Sequence, residues 1–271
     1  MLSLEQLLTQ SDDELVRHDI ADVNLACTRG LPGSQHIDVH RCLETLDRWA
    51  RWVGQLTGYA AFDRNPGHWD HSRGIYRIHV MMCVLQREFG VRYNPAMIPE
   101  DANFGLDERF IQGAIQGEGG TSGTLPVVYI AVRRRLRYPL KLVAAQGGKW
   151  GHLFARWDEL GGERFNIEIS NGSFDTPPDD YYRTGRFTTH PDWEHSGSIL
   201  KSMTPTEELA DFMAQRSAGW LDAGERRQQA ESLAWACALE ARGTVYGTPS
   251  SIRACGIIPH DSGTERSGTH R

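Results

Sequence analysis

A proline at the second position of a long apolar run fixes where a helix can begin. Leu125-Pro126-Val127-Val128-Tyr129 opens an apolar segment that reaches Leu136, and it follows a cluster of glycines at 113, 117, 119, 120 and 123. Proline lacks an N–H and its ring clashes with the turn before it, so it is tolerated only in a helix's first turn. The helix must start close to Thr121 through Thr124, behind a Gly-rich loop, with Ser122 at its amino end. Beyond Tyr138-Pro139 come three β-like runs, Leu140 to Ala145, His152 to Trp157 and Phe165 to Ile169. The last two are joined by a hairpin-like connection through Asp158 to Gly162. This pattern predicts an α+β chain.

Helices flank this core on both sides. Behind Asp38, the residues Val39, Cys42, Leu43, Leu46, Trp49, Ala50, Val53 and Leu56 recur at helical spacing. A second helix is predicted from about Ser72 to Phe89, with Gly90 as its stop. Thr204-Pro205-Thr206-Glu207 reads as a capping box opening a helix through about Ser217, and another follows from about Glu225 to Ala241. The chain thus divides into an N-terminal helical region over 1–100, the core over 101–190, a C-terminal helical annex over 191–242 and a disordered tail over 243–271. With 271 residues, 39% of them apolar, it can fill a sizeable core without disulfide or metal staples.

Chemistry concentrates in the core. A helix amino terminus exposes unpaired N–H groups and a partial positive charge, which favour a developing anion, and Ser122 sits there. His152 opens one strand and Glu168 lies on the next, so nucleophile, base and orienter can converge. Gln116, six residues before Ser122, is a candidate oxyanion donor or a plain polar loop residue. Lys149 and Trp150 are either cleft-lining or solvent-exposed.

The runs Gly119-Gly120-Thr121-Ser122-Gly123-Thr124-Leu125-Pro126, Gly151-His152-Leu153-Phe154-Ala155-Arg156-Trp157 and Arg164-Phe165-Asn166-Ile167-Glu168 resemble the bacterial transglutaminase-like superfamily, with a SirB-type core. The resemblance covers about residues 101–186 and implies a papain-like core, a helix packed on an antiparallel sheet, with a Cys-His-Asp triad that forms an acyl-enzyme. His152 matches the histidine and Glu168 the acid, while Ser122 stands where the nucleophilic Cys is expected. Asn171-Gly172 resembles the pair that follows the acid in SirB-type members. A hydroxyl stays protonated where a thiol ionises, so the exchange leaves open whether the triad acts as a Ser-His-Glu hydrolase or transferase. The alternative is a non-catalytic scaffold whose cleft holds a peptide or protein partner.

The remaining signals are weaker. An excess of 35 Asp plus Glu over 29 Lys plus Arg argues against a nucleic-acid partner bound by overall field. Arg133, Arg134, Arg135 and Arg137 complement a helix end more readily than they attract an acidic substrate. Five scattered cysteines without C-x-x-C spacing suit a reducing compartment, and Cys83 reads as a core residue. His68-Trp69-Asp70-His71 lacks a complete ligand set and reads as a helix-start loop, and the triad chemistry needs no metal or organic cofactor. The first ten residues lack the charged start of a signal peptide, and the longest apolar stretches fall far short of a membrane span; the expected location is cytoplasmic.

Overall fold

Each β-like run becomes a strand, and the strands pair as predicted into an antiparallel sheet. In the computed structural model, which describes residues 3–99, 102–145, 151–170, 172, 174–184, 187, 191–195 and 197–243, the sheet has the order β1 (Leu140–Ala145), β2 (His152–Asp158), β3 (Arg164–Ile167). Leu140 faces Trp157 and Ala145 faces His152 across the first ladder, and Ala155 faces Ile167 across the second. Side chains alternate along a strand. Leu153, Ala155 and Trp157 of β2 accordingly join the larger apolar cluster, while Phe154 joins a smaller one with Tyr182, Phe187, Ile199 and Leu200. Covering both faces makes the central strand buried almost throughout, and places His152 and Arg156 on the side of Phe154.

The helices run in chain order around this sheet. The amino-terminal helices α1 (Leu4–Thr9), α2 (Asp12–Leu15) and α3 (Ile20–Ala26) follow Ser3, Ser11 and Asp19, polar residues suited to the cap position. They send Leu7, Leu8, Leu15, Ile20 and Leu25 into the larger cluster. α4 (Val39–Leu56) is capped by Asp38, whose carboxylate accepts from Arg41 N, and it buries the predicted Cys42, Leu46, Trp49, Ala50 and Val53. α5 (Ala60–Arg64) leads to α6 (Arg73–Cys83), capped by Ser72. The helix predicted over Ser72 to Phe89 does not stay α throughout. From Val84 to Glu88 it widens to a π turn closed by Phe89 N on Val84 O, and Val91 N then reaches back to Leu85 O.

Where a continuous Gly-rich loop was expected, the chain forms α7 (Leu106–Arg109) and α8 (Ile111–Gln116) before reaching α9 (Leu125–Leu136). Gly113 sits inside α8 because a Cβ there would come within 2.4 Å of Asp107 O. Here glycine serves close packing and not loop freedom. Gly117, at φ 98°, then turns the chain out of α8. α9 packs on α4, α8 and the sheet, burying every residue from Leu125 to Val132.

After β3 come α10 (Asp179–Arg183), α11 (Pro191–His195), α12 (Pro205–Asp222) and α13 (Arg226–Gly243). The Thr204 capping box forms as the sequence predicts, with Thr204 Oγ1 accepting from Glu207 N and a Glu207 carboxylate oxygen accepting from Thr204 N. Phe212 of α12 and Leu239 of α13 belong to the same cluster as Leu7, Trp49, Val128 and Leu140, so amino-terminal, central and C-terminal segments share one core. Among the described residues no helix is long and apolar enough to cross a membrane. Of the tail predicted over 243–271, Gly243 ends α13, and the residues from 244 on lie outside the described residues.

Candidate active site

The turn before α9 is held by threonines. Thr121 Oγ1 accepts from Gly123 N at 3.2 Å and donates to Glu108 O at 3.0 Å, and Thr124 Oγ1 accepts from Thr121 N at 2.8 Å. Thr121 O accepts from both Thr124 N and Leu125 N. Just upstream, Gly120 N donates to Arg92 O at 2.9 Å and Gly120 O accepts from Asn94 N at 2.8 Å, which anchors the turn to the segment before it. Ser122 sits within this turn, partly buried, and among the described residues it makes no hydrogen bond of its own. Its hydroxyl and its backbone N–H are both uncommitted, two residues ahead of Thr124, the N-cap of α9.

His152 and Glu168 meet on the face of the sheet opposite α9. His152 Nε2 lies 2.7 Å from Glu168 Oε2, and both side chains are buried. Glu168 Oε1 accepts from Ser170 N at 3.0 Å and from Ser170 Oγ at 2.5 Å, and Tyr182 Oη donates to Oε2 at 3.2 Å. Burial by itself pushes this carboxyl up. The hydrogen bond and charge of His152, and then the two Ser170 bonds, more than reverse that and hold it at about 2 against an ordinary 4.5. With Nε2 engaged by a carboxylate, Nδ1 is the ring nitrogen left for other work.

The surroundings fix this pair. Tyr182 stacks on Phe154 with ring centroids 3.9 Å apart, and the Phe187 ring lies 4.6 Å from the His152 ring. Arg156, buried on the same sheet face, donates from Nε to Asn166 Oδ1 at 2.6 Å, from Nη1 to Leu200 O at 2.8 Å and from Nη2 to Asp179 Oδ1 at 2.5 Å. It thereby ties α10, which carries Tyr182, to the sheet.

Ser122, His152 and Glu168 all line one cavity of about 890 Å³. Among the described residues no hydrogen bond joins Ser122 to His152. A nucleophile–base contact of this kind often closes only when substrate is bound. The other sequence candidates fall elsewhere. Gln116 is exposed at the end of α8 and does not line the cavity, because the helix that replaces the expected loop turns it outward. Lys149, Trp150 and Asn171 lie outside the described residues. Burial pushes the Cys27 thiol up to about 12 and the Cys42 thiol to about 11, which makes both poor nucleophiles. Cys83 is only partly buried, with Sγ 3.3 Å from His79 Nε2. Arg133 bonds Tyr138 O, Arg134 pairs with Glu208, and Arg135 pairs with Asp19 and Asp47, so three of the four arginines at the end of α9 are structural. Among the described residues no group of three or more His, Cys, Asp or Glu is arranged to hold a metal ion.

Ser170, Tyr182 and Phe187 escaped the sequence reading. Ser170, two residues beyond the acid, carries a usable signal, since a hydroxyl so placed can close a local turn on the carboxylate. Nothing in the spacing announces Tyr182 or Phe187.

Fold and site define an α+β protein in which a buried His–Glu pair opens onto a cavity shared with a serine at a helix start. Comparison with protein-family models, with curated proteins and with solved structures gave no match.

Proposed function

We propose that this chain is a transglutaminase-like protein with a papain-like core, of acyl-transfer or amide-hydrolase ancestry, in which Ser122, His152 and Glu168 form a triad. The observation that carries the reading is the 2.7 Å contact between His152 Nε2 and Glu168 Oε2 at the wall of the cavity that also holds Ser122. Glu168 fixes the imidazole so that Nδ1 is the basic nitrogen. His152 takes the Ser122 hydroxyl proton as Oγ bonds the substrate carbonyl carbon, and the carbonyl oxygen becomes an oxyanion beside the Ser122 N–H and the amino end of α9. Collapse breaks the carbon–nitrogen bond, the imidazolium proton leaves with the amine, and water or a second amine releases the acyl group by the reverse route.

A second reading is favoured by one observation, the absence among the described residues of a Ser122–His152 hydrogen bond. In it the cavity binds a peptide or protein segment without chemistry.

The test compares the protein with Ser122→Cys and with Ser122→Cys/His152→Ala, measuring labelling at position 122 by a thiol-directed acyl probe and turnover of simple amides and esters. Fast labelling and turnover that disappear with His152→Ala support the triad. An introduced thiol that reacts like any exposed cysteine, with or without His152, overturns it in favour of the binding reading.

A further inference from the structure

The cavity in front of Ser122 has a wall that the triad does not use. It is built by Asp211 and Gln215 of α12, one helical turn apart and so on one strip of the helix. Three of the four carboxylates on α12 have a cation beside them: Glu207 has Lys201 at 2.6 Å, Glu208 has Arg134 at 2.6 Å and Asp222 has Arg109 at 2.5 Å. Asp211 is the exception. It is partly buried at the cavity wall, and among the described residues its carboxylate has neither a hydrogen bond nor an ion pair.

The protein's own charges do not compensate it. Of the ionisable groups that line the same cavity, Arg92 is exposed, Arg109 is engaged by Asp222, Glu108 and Glu168 are acids, and His152 is bonded to Glu168. From α13, packed along α12, the approaching charge is another acid, Glu240. Burial, and then repulsion from Glu240, push the Asp211 carboxyl from 3.8 to about 7. A carboxylate desolvated without a partner is a cost that a ligand cation removes on binding.

We propose that Asp211, with Gln215 beside it, is a subsite for a cationic nitrogen, so that the acyl substrate presented to Ser122 carries an ammonium or guanidinium group paired with the Asp211 carboxylate; this rests on the acyl-transfer reading of the site. The cation is recognised and does not react. The Gln215 amide oxygen supplies a second acceptor on the same strip, which suits a guanidinium with its several donors. A neutral amide or hydroxyl group in the same place leaves the carboxylate's charge uncompensated and gains less.

The test measures binding and not turnover. Calorimetric titration of the intact protein, at about pH 8.5 where the carboxyl is ionised, compares Nα-acetylarginine amide with Nα-acetylcitrulline amide, its neutral counterpart of nearly equal shape. The arginine amide is expected to bind about tenfold more tightly, because a charge-assisted pair is replaced by a neutral contact. In Asp211→Asn, with folding checked by circular dichroism, that preference is expected to vanish through weaker binding of the arginine amide alone. Equal affinity of the two amides for the unaltered protein, no binding of either, or an undiminished preference in Asp211→Asn overturns the proposal. The unaltered protein's own discrimination keeps the test decisive if the variant misfolds. A preference that persists while Ser122→Cys shows no His152-dependent reaction overturns the acyl-transfer reading and leaves a cation-binding cavity. The converse pair of results overturns the subsite and leaves the triad.

Discussion

Replacing Glu168 by Gln tests whether the His152–Glu168 contact holds the fold together as well as the site. The carboxyl lies at about 2 in the folded chain against an ordinary 4.5. Lowering it this far makes the ionised form the one the fold prefers, and at roughly 1.4 kcal/mol per pH unit the preference contributes about 3 kcal/mol. Glu168 is only 2% exposed, so solvent screening takes little from that figure. The contribution is fully present above the unfolded carboxyl's pKa, about 4.5, and is lost as the pH falls through the folded one, about 2. Gln keeps the shape but loses the charge, and its NH2 cannot accept hydrogen bonds where one carboxylate oxygen did. Urea unfolding at a series of pH values, followed by tryptophan fluorescence with buried Trp157 among the reporters, gives the comparison. The variant is expected to be about 3 kcal/mol less stable at neutral pH, with the gap narrowing steadily toward pH 2. A gap that stays constant across the acid range, or a variant as stable as the parent at neutral pH, refutes the argument.

Other expectations follow from the surroundings. Arg156→Met removes a buried cation from Asn166, Leu200 O and Asp179 and should cost about 3 kcal/mol in urea unfolding, since a broken buried pair strands its partner; a loss under about 1 kcal/mol means that the network does not anchor α10. Gln116→Ala, exposed and away from the cavity, should change stability by less than about 0.5 kcal/mol and leave His152-dependent labelling of Ser122→Cys untouched. A marked drop in that labelling assigns Gln116 a role in the site that its position does not explain.

The parts of this fold that follow local rules were legible in the sequence. Pro126 fixed the start of α9, the three β-like runs became β1 to β3, and the Thr204 box capped α12. His152 and Glu168 could be paired because His152 opens β2 and Glu168 directly follows the end of the neighbouring β3, and alternation puts them on one face. Less legible were features set by tertiary packing. Gly113 looks like a loop residue until Asp107 is placed against it, and with α8 in place of the loop Gln116 stands exposed at a helix end, where the plain polar reading of it fits. Asp211 reads as one more polar residue on an amphipathic helix. Only the placement of α12 beside the cavity, with cations assigned to its other acids, sets it apart.

The turn around Ser122 has a consequence for how such a chain can change over time. Every bond that caps α9 there is made by Thr121, Thr124 and the backbone, and the Ser122 side chain contributes to none of them. The fold therefore does not register which small side chain occupies that position. Oxygen and sulfur can replace one another at this single atom with reactivity altered and stability nearly constant, so that chemistry at position 122 can be gained or lost in one step while the rest of the molecule is left to serve whatever its cavity holds.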